Sequence, residues 1–188
     1  IVLALDRALR SLPGRVRLLG PVAIGLALLP LFPTPLPTGD RPTVPAFIGE
    51  GHWRDCVEPG GVLVPVPLPT PRDPKPMRWA AAANAEFGLP EGFFIGPYAR
   101  GGNASVGTFK QPTSRLLAEV ADTGEVPPIE PADRAQAARD LAFWGADCVV
   151  LRPDQRYEEQ LRSALEELLG PADRIVDVWA WRVSSPAE

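Results

Sequence analysis

VLVPVPLP, residues 62–69, opened by Gly60-Gly61, is the stretch on which the fold turns. Its β-branched and leucine residues read as a strand, and Pro65, Pro67 and Pro69 all share one parity. Each proline lacks an N–H, so every missing donor falls on the same side of that strand. The opposite side can still build a ladder. The spacing therefore predicts an edge strand, or one paired on both sides only through Val62–Val64.

Outward from there, the segments alternate. TPRDPKP follows as a loop, and Asp73-Pro74 makes an N-cap and first-turn pair for a helix over MRWAAAANAEFG, stopped by Gly88. FFIGPY (93–98) is a short apolar run expected to be a strand buried on both faces. ARGGNASVGT is a glycine-rich loop and not a phosphate-binding motif, because no GK[ST] follows it. Pro112 starts a helix with Leu116, Leu117 and Val120 inward. Pro131 starts another with Ala135, Ala138, Leu141 and Ala142 on one face, ended by Gly145.

ADCVVLRP (146–153) is a continuous apolar run of the central, parallel kind. Asp154 is the expected cap of a last helix, whose stripe is Tyr157, Leu161, Ala164, Leu165 and Leu168. RIVDVWAWRV closes the chain as one strand, antiparallel at an edge, with Trp179 and Trp181 covering the core's margin. The order β-α-β-α-α-β-α-β predicts an α/β domain, a three-layer, mostly parallel sheet of about four strands. About 140 residues are available for it, enough for a real core.

Ahead of this domain lies LLGPVAIGLALLPLFPTPLPTG, residues 18–39, which contains no charge. Such a length matches a bilayer core of about 30 Å, although Pro30, Pro33, Pro35 and Pro37 would break a helix halfway. A helix from about Val16 to Leu31, with a proline-stiffened exit, is the expectation. Arg7, Arg10, Arg15 and Arg17 precede the run, which puts residues 1–17 on the cytoplasmic side as a juxtamembrane segment. Residues 40–188 then form an extracytoplasmic domain. A cleaved signal peptide is the competing reading, weakened because no A-x-A-like site follows. A first residue of Ile1 rather than Met suggests a fragment of something longer.

Composition removes several function classes. The net charge is −4 and Lys75 and Lys110 are the only lysines, so nucleic acid is not an expected partner. His52, the only histidine, lies ahead of every expected strand and has no histidine partner, so neither a Ser-His-Asp order nor a zinc site is expected, and no cofactor is implied. Cys56 and Cys148 read first as two buried thiols. In an extracytoplasmic domain they would be able to form one disulfide.

What remains is positional. Ligands of open α/β sheets lie beyond the carboxyl ends of the strands. Those ends carry Arg72, Asp73, Arg78, Trp79, Tyr98, Arg100 and Arg152. Guanidinium forks and aromatic faces suit a glycan or an anionic group. The plainer alternative is that Trp79 packs the core and the arginines pair with nearby carboxylates.

The apolar run, the exit FPTPLPTGDRPTVPAF, the GGVLVPVPLP strand, PMRWAAAANAEFGLPEGFFIGPY, WGADCVVL and the closing VWAWRV together resemble the C-terminal end of actinobacterial polytopic membrane proteins. These are glycosyltransferases of the GT-C type, many-span enzymes that use lipid-phosphate-linked sugars outside the cytoplasmic membrane. The resemblance implies an accessory domain of such a transferase. Its partners would be the lipid bilayer, the remainder of a polytopic chain, and a glycan or polyprenyl-phosphate sugar. The family's catalytic carboxylate belongs to an early external loop that no position here matches. No catalytic residue carries over.

Overall fold

The computed structural model describes residues 19–29, 44–92, 95–97, 104–106 and 110–183. The chain divides into two units, Ile1–Arg41 and Pro42–Glu188. In the first unit, helix α1 spans Leu19–Leu28, inside the helix expected from about Val16 to Leu31, of which residues 16–18, 30 and 31 lie outside the described residues. Val22, Leu26, Leu28 and Leu29 are exposed. Among the described residues no helix is long and apolar enough to cross a membrane. Residues 1–18 and 30–39 lie outside the described residues.

The second unit is an α/β domain. Its lead-in holds a single turn of helix, α2 (Ala46–Gly49), and a 3-10 turn (His52–Asp55). Strand β1 (Val62–Val66), helix α3 (Lys75–Ala82) and a separate antiparallel ribbon of β2 (Ile95–Pro97) and β3 (Ala104–Val106) follow. Helices α4 (Pro112–Thr123) and α5 (Pro131–Trp144) lead to strand β4 (Ala146–Leu151). Helix α6 (Glu158–Leu169) and the hairpin of β5 (Asp173–Ile175) and β6 (Val178–Arg182) complete it.

The main sheet has four strands in the order β1-β4-β6-β5. Only β1 and β4 are parallel; β4–β6 and β5–β6 are antiparallel. The sheet is therefore mixed, not mostly parallel, for two reasons. The described part of the 93–98 run, Ile95–Pro97, pairs locally with Ala104–Val106 and not with the main sheet. The closing segment is not one strand, because it reverses at Val176 and Asp177. Val176 takes a φ of 55°, unusual for a β-branched residue, and no Gly, Pro or Asn announces the turn.

Strand β1 ends at Val66, short of the expected 62–69, so Pro65 alone of the three prolines lies within it and Pro67 and Pro69 fall in the loop beyond. Leu63 N–H donates to Gly88 O at 3.0 Å on the outer side, next to an isolated bridge between Val62 and Gly88. Beyond that bridge the outer side carries no ladder among the described residues, and Pro65 lies at the parity of Leu63. Val66 O, on the other parity, accepts from Arg152 N at 3.2 Å in the direction of β4. The edge strand thus lacks a donor, at Pro65, on the side where no partner strand sits among the described residues.

Strand alternation divides the core. Val64, Val66, Val149, Leu151 and Trp181 face α4, α5 and α6, meeting Leu117, Val120, Leu141, Leu161 and Leu165. Leu63, Cys148, Val150, Val178 and Ala180 face the other layer, where Phe47, Ile48, Trp53, Trp79 and Phe87 pack. Burying each such large side chain contributes about 1.5–3 kcal/mol. Trp181 Nε1 donates to Gly170 O at 2.9 Å, and Trp179 lies between the Arg162 and Arg174 guanidinium groups.

Several local expectations are corrected. Helix α3 ends at Ala82 and does not reach Gly88, because Asn84 and Ala85 turn left-handed and Phe87-Gly88 is drawn alongside β1. Asp154 does not cap α6; it sits in a turn at φ 56°, and Tyr157 occupies the N-cap position. Helix α5 buries Ala137, Asp140 and Leu141, while Ala135, Ala138 and Ala142 are exposed. The rotation follows from Asp140, which accepts Thr113 N–H at 2.9 Å and Gln136 Nε2 at 2.7 Å. A buried carboxylate that satisfies the first turn of α4 outweighs a stripe of alanines.

Cys56 and Cys148 are joined in a disulfide, with Cα atoms 5.7 Å apart. They are not two separate buried thiols. The bond fastens the lead-in to the middle of the sheet.

Candidate functional site

Because β1 and β4 run parallel in the register Val66↔Leu151, their carboxyl ends emerge side by side. Two loops therefore meet there: residues 67–74 from β1 and residues 152–157 from β4. The first is closed by its own backbone. Asp73 N donates to Thr70 O at 3.0 Å, and Thr70 N donates to Asp73 O at 3.1 Å. That turn presents the Asp73 carboxylate to the end of β4.

Arg152 is the first residue past the β4 ladder and is only 3 % exposed. Its Nη2 donates to Asp73 Oδ2 at 2.6 Å and to Gln155 Oε1 at 2.8 Å. Gln155 is oriented in turn by the Asp154 turn, its Nε2 lying 3.4 Å from Pro153 O. The pair leaves its mark on the Asp73 carboxyl. Burial raises its pKa, but the Arg152 hydrogen bond and charge outweigh this. With the Lys75 N–H and charge, they hold it below the ordinary 3.8. Arg152 Nε and Nη1 are buried and have no hydrogen-bond partner among the described residues.

Two hollows flank Arg152. One, a cleft of about 480 Å³, lies between the 67–73 loop and α4. Pro67, Leu68, Pro69, Ala118 and Ala121 give it apolar walls, and Arg72 and Lys110 bring cations. Its carboxylates are Asp73, Glu91 and Asp122. Glu91 is engaged by the start of α4, accepting Gln111 N–H at 3.1 Å and the Ser114 hydroxyl at 2.7 Å. The other hollow, about 470 Å³, is walled by Trp79 and Pro45, with Lys75, Arg174 and Asp177 around it. Asp177 is likewise engaged, since its two carboxylate oxygens accept the Ala46 and Phe47 N–H groups at 2.8 and 3.0 Å.

Arg72 and Asp73 therefore come together with Arg152. Arg78 is exposed on α3 and lines neither hollow. Trp79 is buried in the core and shows only an edge to the second hollow. Tyr98 and Arg100 lie outside the described residues. Lys110 and Gln155 were not singled out by sequence reasoning. Gln155 had a signal in its nearness to Arg152 in RPDQR, whereas Lys110 joins the cleft only through the placement of α4.

Chemically, the site offers a buried cation with spare donors, one ionised carboxylate and an apolar wall. Those parts bind. Among the described residues no group of three or more His, Cys, Asp or Glu side chains is placed to hold a metal ion. Comparison with family models, with curated proteins and with solved structures gives no match.

Proposed function

We propose that this chain is the extracytoplasmic accessory domain of a membrane glycosyltransferase that uses lipid-linked sugars. In this reading it is held to the bilayer through residues 18–39 and carries no catalytic set of its own. The supporting observation is the Cys56–Cys148 disulfide, buried in the layer beneath β4. Disulfides of this structural kind persist in oxidising compartments. The arginines before the charge-free run favour the same side for everything after it. The transferase part of the reading rests on the sequence resemblance.

The test is topological first. A reporter fused after Glu188 should be active only outside the cytoplasm, and Cys56 and Cys148 should resist alkylation in cells until a reductant is added. Cytoplasmic reporter activity overturns the placement. Deleting residues 42–188 from the complete membrane protein should then lower sugar transfer without abolishing membrane insertion.

A second reading, a membrane-anchored or secreted ligand-binding module, is favoured by the Arg152 cleft, whose lining lies wholly within the Pro42–Glu188 unit. Ligand binding by the 188-residue chain, with transfer unchanged by the deletion, would select it.

A further inference from the structure

We propose that Arg152 is the receptor for the oxyanion of a small acidic ligand, a phosphate or a carboxylate, seated in the cleft between the 67–73 loop and α4. A guanidinium has five N–H donors. The two on Nη2 are used by Asp73 and Gln155, and those on Nε and Nη1 have no partner among the described residues. An arginine acting only as a strut between two loops would be expected to satisfy its remaining donors once buried. Here the residue is 3 % exposed and lines both hollows. The arrangement fixes the guanidinium from one nitrogen and leaves the other two for something not built from these loops.

The lining favours the cleft over the second hollow. Of its three carboxylates, Asp73 is committed to Arg152 and Glu91 to the first turn of α4. Arg72, Lys110 and Arg152 balance the three carboxylates in formal charge, so the cleft is favoured by its apolar walls and size and not by its net charge. The second hollow sets Lys75, Arg152 and Arg174 against Asp154 and Asp177, so its charge also suits an anion, but the 67–73 loop, which holds Arg152 through Asp73, contributes nothing to its lining. The volume of about 480 Å³ lies within the range of small-ligand sites. Proline and alanine faces at Pro67, Pro69, Ala118 and Ala121 suit the C–H face of a ring, while the charge is held at one end.

The oxyanion assignment stands on this geometry. The choice of sugar-borne probes rests on the proposed glycosyltransferase reading, so inorganic phosphate is included as a probe independent of it. The 188-residue chain in detergent is titrated with inorganic phosphate, glucose 1-phosphate, glucuronate and neutral glucose. Binding is read by calorimetry and by the Nε–Hε resonance of Arg152. The expected result is a saturable shift of that resonance with at least one anion and none with glucose. A response to glucose 1-phosphate alone assigns a phosphate; a response to glucuronate alone assigns a carboxylate. Arg152→Lys should weaken binding at least about tenfold by removing the planar fork. Should that variant fail to fold, the double variant Arg72→Ala/Lys110→Ala serves instead. It should weaken binding roughly threefold or more at low salt. The proposal is overturned if no anion moves the resonance, or if a folded variant of either kind binds as tightly as the parent. A cytoplasmic result in the topology test would overturn the accessory-domain reading and leave this outcome untouched.

Discussion

Arg152 and Asp73, 79 residues apart in the chain, meet at 2.6 Å between Nη2 and Oδ2 and tie the loop after β1 to the end of β4. The two partners differ in exposure, 4 % for the Arg152 side chain against 34 % for Asp73. Removing the carboxylate leaves a buried cation without its one charged hydrogen-bond partner among the described residues. Water can reach the vacated position from the exposed side, so the full cost of an orphaned buried charge is not expected. Asp73→Ala should lower unfolding free energy by about 2–3 kcal/mol, and Asp73→Asn, which keeps an acceptor, by about 1–2 kcal/mol. Arg72→Ala and Arg78→Ala, both at exposed positions, should each cost under ~0.5 kcal/mol. Urea midpoints of the four variants check the order. An Asp73→Ala value as small as the Arg78→Ala value would show that the pair is not structural.

The same pair sets an acid limb. The Asp73 pKa is lower in the folded protein than the ordinary 3.8 expected when unfolded. Its contribution to stability is therefore fully present above that ordinary value and is lost as pH falls through the folded value. The stability difference between the parent and Asp73→Asn should stay constant above about pH 5 and shrink below about pH 4. Denaturation at a series of pH values from neutral down to strongly acidic conditions measures it. A difference that grows on acidification would contradict the ion pair.

Much of the scaffold is legible in the residues, and the limits of that reading have physical causes. Pro65 acts through its own missing N–H, so its place in β1 reports the edge, whereas Pro67 and Pro69 fall beyond the strand. The stripes of α4 and α6 likewise report burial through Leu117, Val120, Leu161 and Leu165. What fails is what depends on distant partners. Asp73 reads as a helix cap because its local sequence suits one. In the fold its Oδ2 is taken by Arg152, and only a loose 3.4 Å contact to Lys75 N remains. Asp140 is no part of the stripe of Ala135, Ala138, Leu141 and Ala142 expected to face inward, yet it is buried because Thr113 N–H needs an acceptor. The hairpin at Val176 hides in a β-branched run, and the carboxylate beside it, Asp177, is held by the distant Ala46 and Phe47. At the site, Arg72, Asp73 and Arg152 are legible from strand ends alone, while Lys110 depends on where α4 docks.

Gly124 offers a local test of helix docking. It ends α4 at φ 77°, and a Cβ there would come within 2.7 Å of the Tyr157 ring. Tyr157 itself sits at φ 61° as the N-cap residue of α6. Gly124→Ala should therefore destabilise by about 2–3 kcal/mol, combining left-handed strain with the ring contact. Tyr157→Gly removes the ring and suits the positive φ. In the Gly124→Ala background it should recover roughly 1 kcal/mol or more, a coupling expected of residues in contact. Strict additivity of the two changes would mean that the ring and Gly124 are not neighbours in solution.

The disulfide makes the strongest prediction about the fold as a whole. Cys56 leaves the 3-10 turn of the lead-in, and Cys148 lies fully buried in the middle of β4, 92 residues later. Cross-linking a loop of that length restricts the unfolded chain by about 4–5 kcal/mol on chain entropy alone. Residual structure in the unfolded chain and adjustment in the folded one reduce this. Reduction should thus lower unfolding free energy by about 2–4 kcal/mol. Thiol counting in denaturant should find no free thiol before reduction and both afterwards. The urea midpoint should shift while the slope rises, because the opened chain exposes more surface on unfolding. Cys56→Ala should behave like the reduced protein, since it opens the loop and leaves Cys148 in the core as a small apolar side chain. Equal midpoints with and without reductant, or two reactive thiols in the untreated protein, would sink both the bond and the compartment inferred from it.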